Sequence, residues 1–165
     1  MLSLAAEEKQ MGDWSRRLVL IGLTVVSLIA SGVVTLGADS LPSTGDKRVA
    51  LKGHDPVSYF TAGRPEKGSV EYQAVFDDTI YWFKSAEHRD LFISDPDHYA
   101  PQFRGYCTNT LSRGEFWEAD PETWAIVDGK LYVVGSKRGL VRFQNQTAGA
   151  IEMANENWAN FRGKQ

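Results

Sequence analysis

A single cysteine, Cys107, stands among the 165 residues, so no intramolecular disulfide can staple the fold. In an oxidising compartment a lone thiol is buried and inert, paired with another molecule, or holding a metal. Aromatic residues are nearly missing from the first 46 positions, where Trp14 is alone; the other eighteen lie between Tyr59 and Phe161. Aromatic side chains carry large buried areas, so the core has to come from that second stretch. Lys47 to Arg162 is long enough to close one. A basic stripe is missing too: net charge is −3 with both signs mixed, which argues against a nucleic-acid partner. There is no G-x-S-x-G, no glycine-rich phosphate loop, no C-x-x-C and no H-E-x-x-H. The missing C-x-x-C disfavours a thioredoxin-like oxidoreductase. No internal repeat stands out.

Charge is absent from Leu18 to Leu36, nineteen residues whose only polar groups are Thr24, Ser27, Ser31 and Thr35. At helical rise they span about 28 Å, close to the hydrocarbon core of a bilayer at roughly 30 Å. Arg16 and Arg17 precede the run and Asp39 follows it, so positive-inside asymmetry predicts a cytoplasmic N-terminus and an exported remainder. Ser15 to Leu20 also fits the twin-arginine pattern S-R-R-x-Φ-L. Cleavage fits after Gly32 or Gly37, yet the run exceeds the usual signal h-region, so an uncut anchor is preferred. The expected organisation is residues 1–17 as cytoplasmic n-region, 18–37 as anchor or signal, 38–46 as linker and 47–162 as the domain. That locates the domain in the periplasm, at the extracytoplasmic face of the inner membrane, with residues 18–36 as its membrane partner.

Within the domain, Val49 to Leu51 reads as a short strand, followed by Asp55 as N-cap and Pro56 at N1 of a helical turn. Glu71–Phe76 and Ile80–Lys84 read as a hairpin around Asp77, Asp78 and Thr79. Ser85 caps a helix to about Ser94 that sets Leu91 and Phe92 against the sheet, and Asp95-Pro96 opens a turn carrying Tyr99. Thr123–Val127 and Lys130–Val134 flank Asp128-Gly129, the strongest hairpin signal in the chain. Ser136 caps a helix with Leu140 and Phe143. Thr147 caps the last helix, where Ile151, Ala154, Trp158 and Phe161 share one face. Hairpins interleaved with short helices predict an α+β fold.

Three phrases, Lys52 to Phe60, Tyr81 to Arg89 and Asp95 to Cys107, resemble the YHS-domain family, in particular its exported, single-cysteine bacterial branch. The resemblance continues through Ile126 to Tyr132 and the Trp158 region. Metal-binding members resemble DPVCG…YxFCSxxC, with thiolates as ligands. Here those positions are Ser58, Lys84 and His88, so the resemblance implies that the thiolate-ligated site is absent. After Cys107 the branch often continues with small residues and a tyrosine, where this chain has Thr108, Asn109 and Thr110.

The candidate metal ligands are Cys107, His54 and His88. Cys107 reads equally as a ligand or redox thiol and as a small buried hydrophobe. His54, before a helix start, is a turn histidine or a ligand oriented through its second ring nitrogen. His88 reads first as a solvated helix-surface residue, with the ligand role as alternative; His98 reads as surface. Asp55, Glu87, Asp95, Asp120 and Asp128 have local capping or turn roles. The leading expectation is an extracytoplasmic YHS-like binding domain holding a transition metal such as copper, as Cu(I), through Cys107 and histidine. The alternatives are a metal-free, membrane-anchored interaction domain with a protein partner, and a thiol-dependent enzyme using Cys107 with His54 as base.

Overall fold

The computed structural model describes residues 47–162. The expected anchor, linker and export signal lie outside the described residues. Among the described residues no helix is long and apolar enough to cross a membrane.

The domain opens with a tight turn, Ala50–Gly53, in which Leu51, Lys52 and Gly53 all adopt left-handed backbone (φ 52°, 49° and 76°). Such conformations cost roughly 1–2 kcal/mol per non-glycine residue, so the packing must impose them. It does so by burying Leu51 and closing the turn with a 2.9 Å bond from His54 N to Leu51 O. The strand expected over Val49–Leu51 is thereby reduced to one bridge, Val49 to Ile80. Helix α1 follows (Ser58–Thr61), then β1 (Ser69–Phe76) and β2 (Thr79–Phe83), an antiparallel hairpin with a bulge between Ser69 and Gln73. Ser85 caps α2 (Ala86–Ser94) by accepting from His88 N, and Asp95 caps α3 (Pro96–Tyr99) by accepting from His98 N.

The chain then repeats the plan. Gln102–Gly105 is a second tight turn, with Phe103, Arg104 and Gly105 at φ 57°, 56° and 79° and Tyr106 N bonded to Phe103 O. It leads to α4 (Thr108–Leu111), the hairpin β3 (Asp120–Val127) and β4 (Lys130–Val134), and α5 (Lys137–Asn145), whose cap Ser136 accepts from Gly139 N. The second hairpin has the register of the first displaced by fifty-one residues, Gln73↔Trp82 becoming Trp124↔Val133, and a bulge at the matching place. Tyr81 packs on Phe92 at 5.0 Å and 35°; Tyr132 packs on Phe143 at 5.7 Å and 35°. Asp55 N bonds to Glu66 O as Cys107 N bonds to Trp117 O. The chain thus contains an internal structural repeat, contrary to the expectation from sequence. The α+β class with antiparallel hairpins is as expected.

The two halves share one core. Leu51 lies against Gly105, where an added Cβ would come within 3.3 Å of its Cδ2, so the two turns sit back to back. Tyr59 in α1 donates its hydroxyl to Pro121 O at 3.0 Å, and this burial pushes its pKa well up. Arg48 bonds Glu118 and Arg104 O and covers the Tyr106 ring. The last helix, α6 (Thr147–Arg162), buries Ala154, half-buries Ile151, Trp158 and Phe161 as its spacing predicted, and rests Trp158 on Phe103.

Candidate functional site

The repeat supplies two equivalent positions, one in each half, at the junction of tight turn, second strand and Ser-capped helix. In the first half these are Asp55, after the turn, and His88, in the first turn of α2. Asp55 is fully buried and His88 is 6% exposed. Asp55 Oδ1 accepts from Val57 N at 2.8 Å; Oδ2 accepts from Lys84 N at 3.0 Å and from His88 Nδ1 at 2.7 Å. Asp55 is therefore more than the local cap that the sequence suggested, and His88 is not a solvated helix-surface residue. A buried carboxylate is tolerated when it is paired and hydrogen-bonded, and this one has three donors. The pair occupies that junction.

His54 sits just past the first turn, half-buried, with Nδ1 donating to Leu51 O at 2.9 Å. That leaves Nε2 as the nitrogen able to accept or ligate. His98 is exposed beside Phe60 and Tyr99, consistent with a surface role.

In the second half the equivalents of Asp55 and His88 are Cys107 and Gly139, and the position opens instead of closing. Cys107 is 2% exposed and borders a cavity of about 400 Å³ between α4, the end of β4 and α5. Gly135 lies beside the thiol, where an added Cβ would be in ordinary contact with Sγ at 3.6 Å. Asn109 spans one side, donating Nδ2 to Gly139 O at 2.7 Å. Arg113, Arg138 and Arg142 complete the lining. A second cavity of about 490 Å³ adjoins the first, sharing Asn109, Arg113 and Arg142 with it and continuing over Ala150 and Met153 of α6.

Sequence reading missed these arginines, and the repeat shows why they matter. Where α2 begins with Ala86 and Glu87, α5 begins with Lys137 and Arg138; where α2 carries Leu91, α5 carries Arg142. A carboxylate in the first turn suits the helix dipole, and cations there oppose it by several tenths of a kcal/mol each. Arg138 and Arg142, four apart on α5, add a like-charge repulsion of similar size. Among the described residues neither makes an ion pair with a carboxylate. Arg113 donates to Asn109 O at 2.7 Å and stands 3.9 Å from Glu115. Three cations are thus gathered on one cleft, Arg138 and Arg142 at the cost of their mutual repulsion and Arg113 beside Glu115.

Neither His54 nor His88 lines the Cys107 cavity, and the charged groups that do are guanidinium ions, which repel Cu(I). Among the described residues no three His, Cys, Asp or Glu side chains form a group able to hold a metal. No histidine lining the cavity is placed to act as base for the thiol. What the arrangement can do is seat a small molecule in a half-open cleft beside a thiol and three guanidinium groups. The chain matches no family model, no curated protein and no solved structure.

Proposed function

We propose that this chain is a ligand-binding module, delivered to the outer face of the cytoplasmic membrane by residues 18–36, whose site is the cleft beside Cys107. One observation carries the reading: two halves of the same plan differ at the same place, one joined by the Asp55–His88 bond, the other bordering a cleft lined by Cys107 and Gly139. A polar strut in one copy and a cavity in the other is what binding requires of a duplicated scaffold, a rigid half and an open half. The resemblance to exported YHS-like domains supports a binding role over catalysis.

The test is native mass spectrometry and elemental analysis of protein purified from its own compartment, with Cys107→Ser alongside. A small-molecule adduct, absent or diminished in a variant whose cleft is filled, is the expected result. Stoichiometric copper that disappears in Cys107→Ser would instead restore the Cys107–histidine metal centre. A reporter fused after Gln165 tests the delivery: activity of a cytoplasm-only reporter there refutes an extracytoplasmic domain.

A further inference from the structure

The charge and shape of the cleft say what kind of molecule it takes. Its Cys107 end is framed by Arg113, Arg138 and Arg142, of which Arg113 and Arg142 also border the adjoining cavity. That second cavity runs on to Ala150 and Met153, apolar side chains of α6. The cleft is therefore cationic at one end and apolar at the other. Guanidinium groups offer planar pairs of donors matched to phosphate and carboxylate oxygens. Arg138, in the first turn of α5, runs against the helix dipole and, four residues from Arg142, against a like charge, where the first repeat has Glu87 and Leu91. An anion in the cleft removes both conflicts at once, and local rules are broken most often where function requires it.

Resting on the proposal that this cleft is the binding site, we infer that its ligand is an amphiphilic anion. Its phosphate or carboxylate head is held by Arg113, Arg138 and Arg142, and its apolar chain lies over Ala150 and Met153. Such a head-and-chain anion has two sources beside a membrane, a soluble organic acid or phosphate monoester and the headgroup region of an anionic lipid.

The full chain in nanodiscs of zwitterionic phosphatidylcholine tests this, with alkylation of Cys107 by N-ethylmaleimide as readout. Octyl phosphate should protect Cys107, inorganic phosphate should need at least about tenfold more, and octyltrimethylammonium should not protect. Arg142→Gln and Arg138→Gln should each raise the protecting concentration about tenfold while leaving the circular dichroism spectrum unchanged and without lowering the melting temperature. Protection that appears without added ligand on changing the nanodisc to phosphatidylglycerol assigns the anion to lipid; protection by octyl phosphate alone assigns it to a soluble source. Equal protection by octanol and octyl phosphate, or arginine variants that bind as well as the parent, overturns the anion inference and leaves the cleft as a binding site. Where Cys107, 2% exposed, is inert to alkylation without ligand, calorimetry with the same three compounds is the readout, and no heat from any of them in the parent overturns both.

Discussion

The Asp55–His88 pair gives the sharpest stability test, because its hydrogen bonds can be enumerated. Asp55→Ala removes the acceptor of Val57 N, Lys84 N and His88 Nδ1 in a position with no solvent access at the carboxylate. Each stranded donor costs about 1–3 kcal/mol, less where water can enter the space left behind. Three stranded donors, less what entering water recovers, make about 4 kcal/mol the expected loss. His88→Ala strands no donor and leaves Oδ2 with the Lys84 amide, so its cost should be nearer about 2 kcal/mol. The double variant should be hardly worse than Asp55→Ala alone, since the imidazole has already lost its partner. Urea unfolding followed by tryptophan emission measures all three. With a slope of about 1.5 kcal/mol/M, Asp55→Ala should lower the midpoint by roughly 2.5 M. A loss below about 1 kcal/mol for Asp55→Ala, or strictly additive costs in the double variant, would show that the pair does not hold this half together.

Three further outcomes are open to measurement. Gly68→Ala should cost about 3 kcal/mol or prevent folding, because the new Cβ would lie 2.6 Å from the Trp82 backbone; a melting temperature like the parent's refutes the close approach. Lys84, and after it Arg64, hold the Glu66 carboxyl down to about 2, so the stability it lends is present above the ordinary carboxylate range and fades as pH falls towards 2; a carbon-detected NMR titration should show this, and Lys84→Met should move the midpoint back up. Trp158→Ala should cost about 2 kcal/mol, less than for a fully buried tryptophan because Trp158 remains partly exposed against Phe103 and Phe116; no change in the urea midpoint would mean that α6 does not depend on it.

Much of the fold was legible because its signals are local. Asp128-Gly129 and Asp77-Asp78 place both hairpin turns, Ser85 and Ser136 place both helix starts, and the Ile151, Ala154, Trp158, Phe161 spacing gives the buried face of α6. The tight turns were illegible because Leu51, Lys52, Phe103 and Arg104 have no intrinsic preference for left-handed backbone; packing of one turn against the other imposes it. His88 was misread because its partner lies 33 residues away, where no helical period can reveal it. The repeat left a faint trace: between Val75–Ser85 and Ile126–Ser136 only Asp, Tyr and Ser are identical. What survives is backbone register, which a strand keeps while its side chains change. The cleft was hidden by the same divergence, since its meaning comes from comparing Gly139 with His88 and Arg138 with Glu87.

That comparison can be tested by moving the strut. Cys107→Asp alone places a carboxylate where its repeat partner has three donors, but without the imidazole, and should cost about 2 kcal/mol. Gly139→His alone must push the Asn109 amide, which would lie 3.2 Å from the new Cβ, and should cost about 1 kcal/mol. Together they rebuild the Asp55–His88 arrangement on a backbone of the same register, so the double variant should be at least about 1.5 kcal/mol more stable than the two costs added. The same side chains would occupy the cavity, so octyl phosphate should no longer shield the cleft, read now by calorimetry because the thiol is gone. Additive costs would mean that the halves match in outline but not at this junction, and the hollow at Cys107 would then owe nothing to the absence of a strut. Coupling with retained binding would separate the two ideas differently: the strut would fit, and the anion would have to sit on the Ala150 side of Arg142 instead.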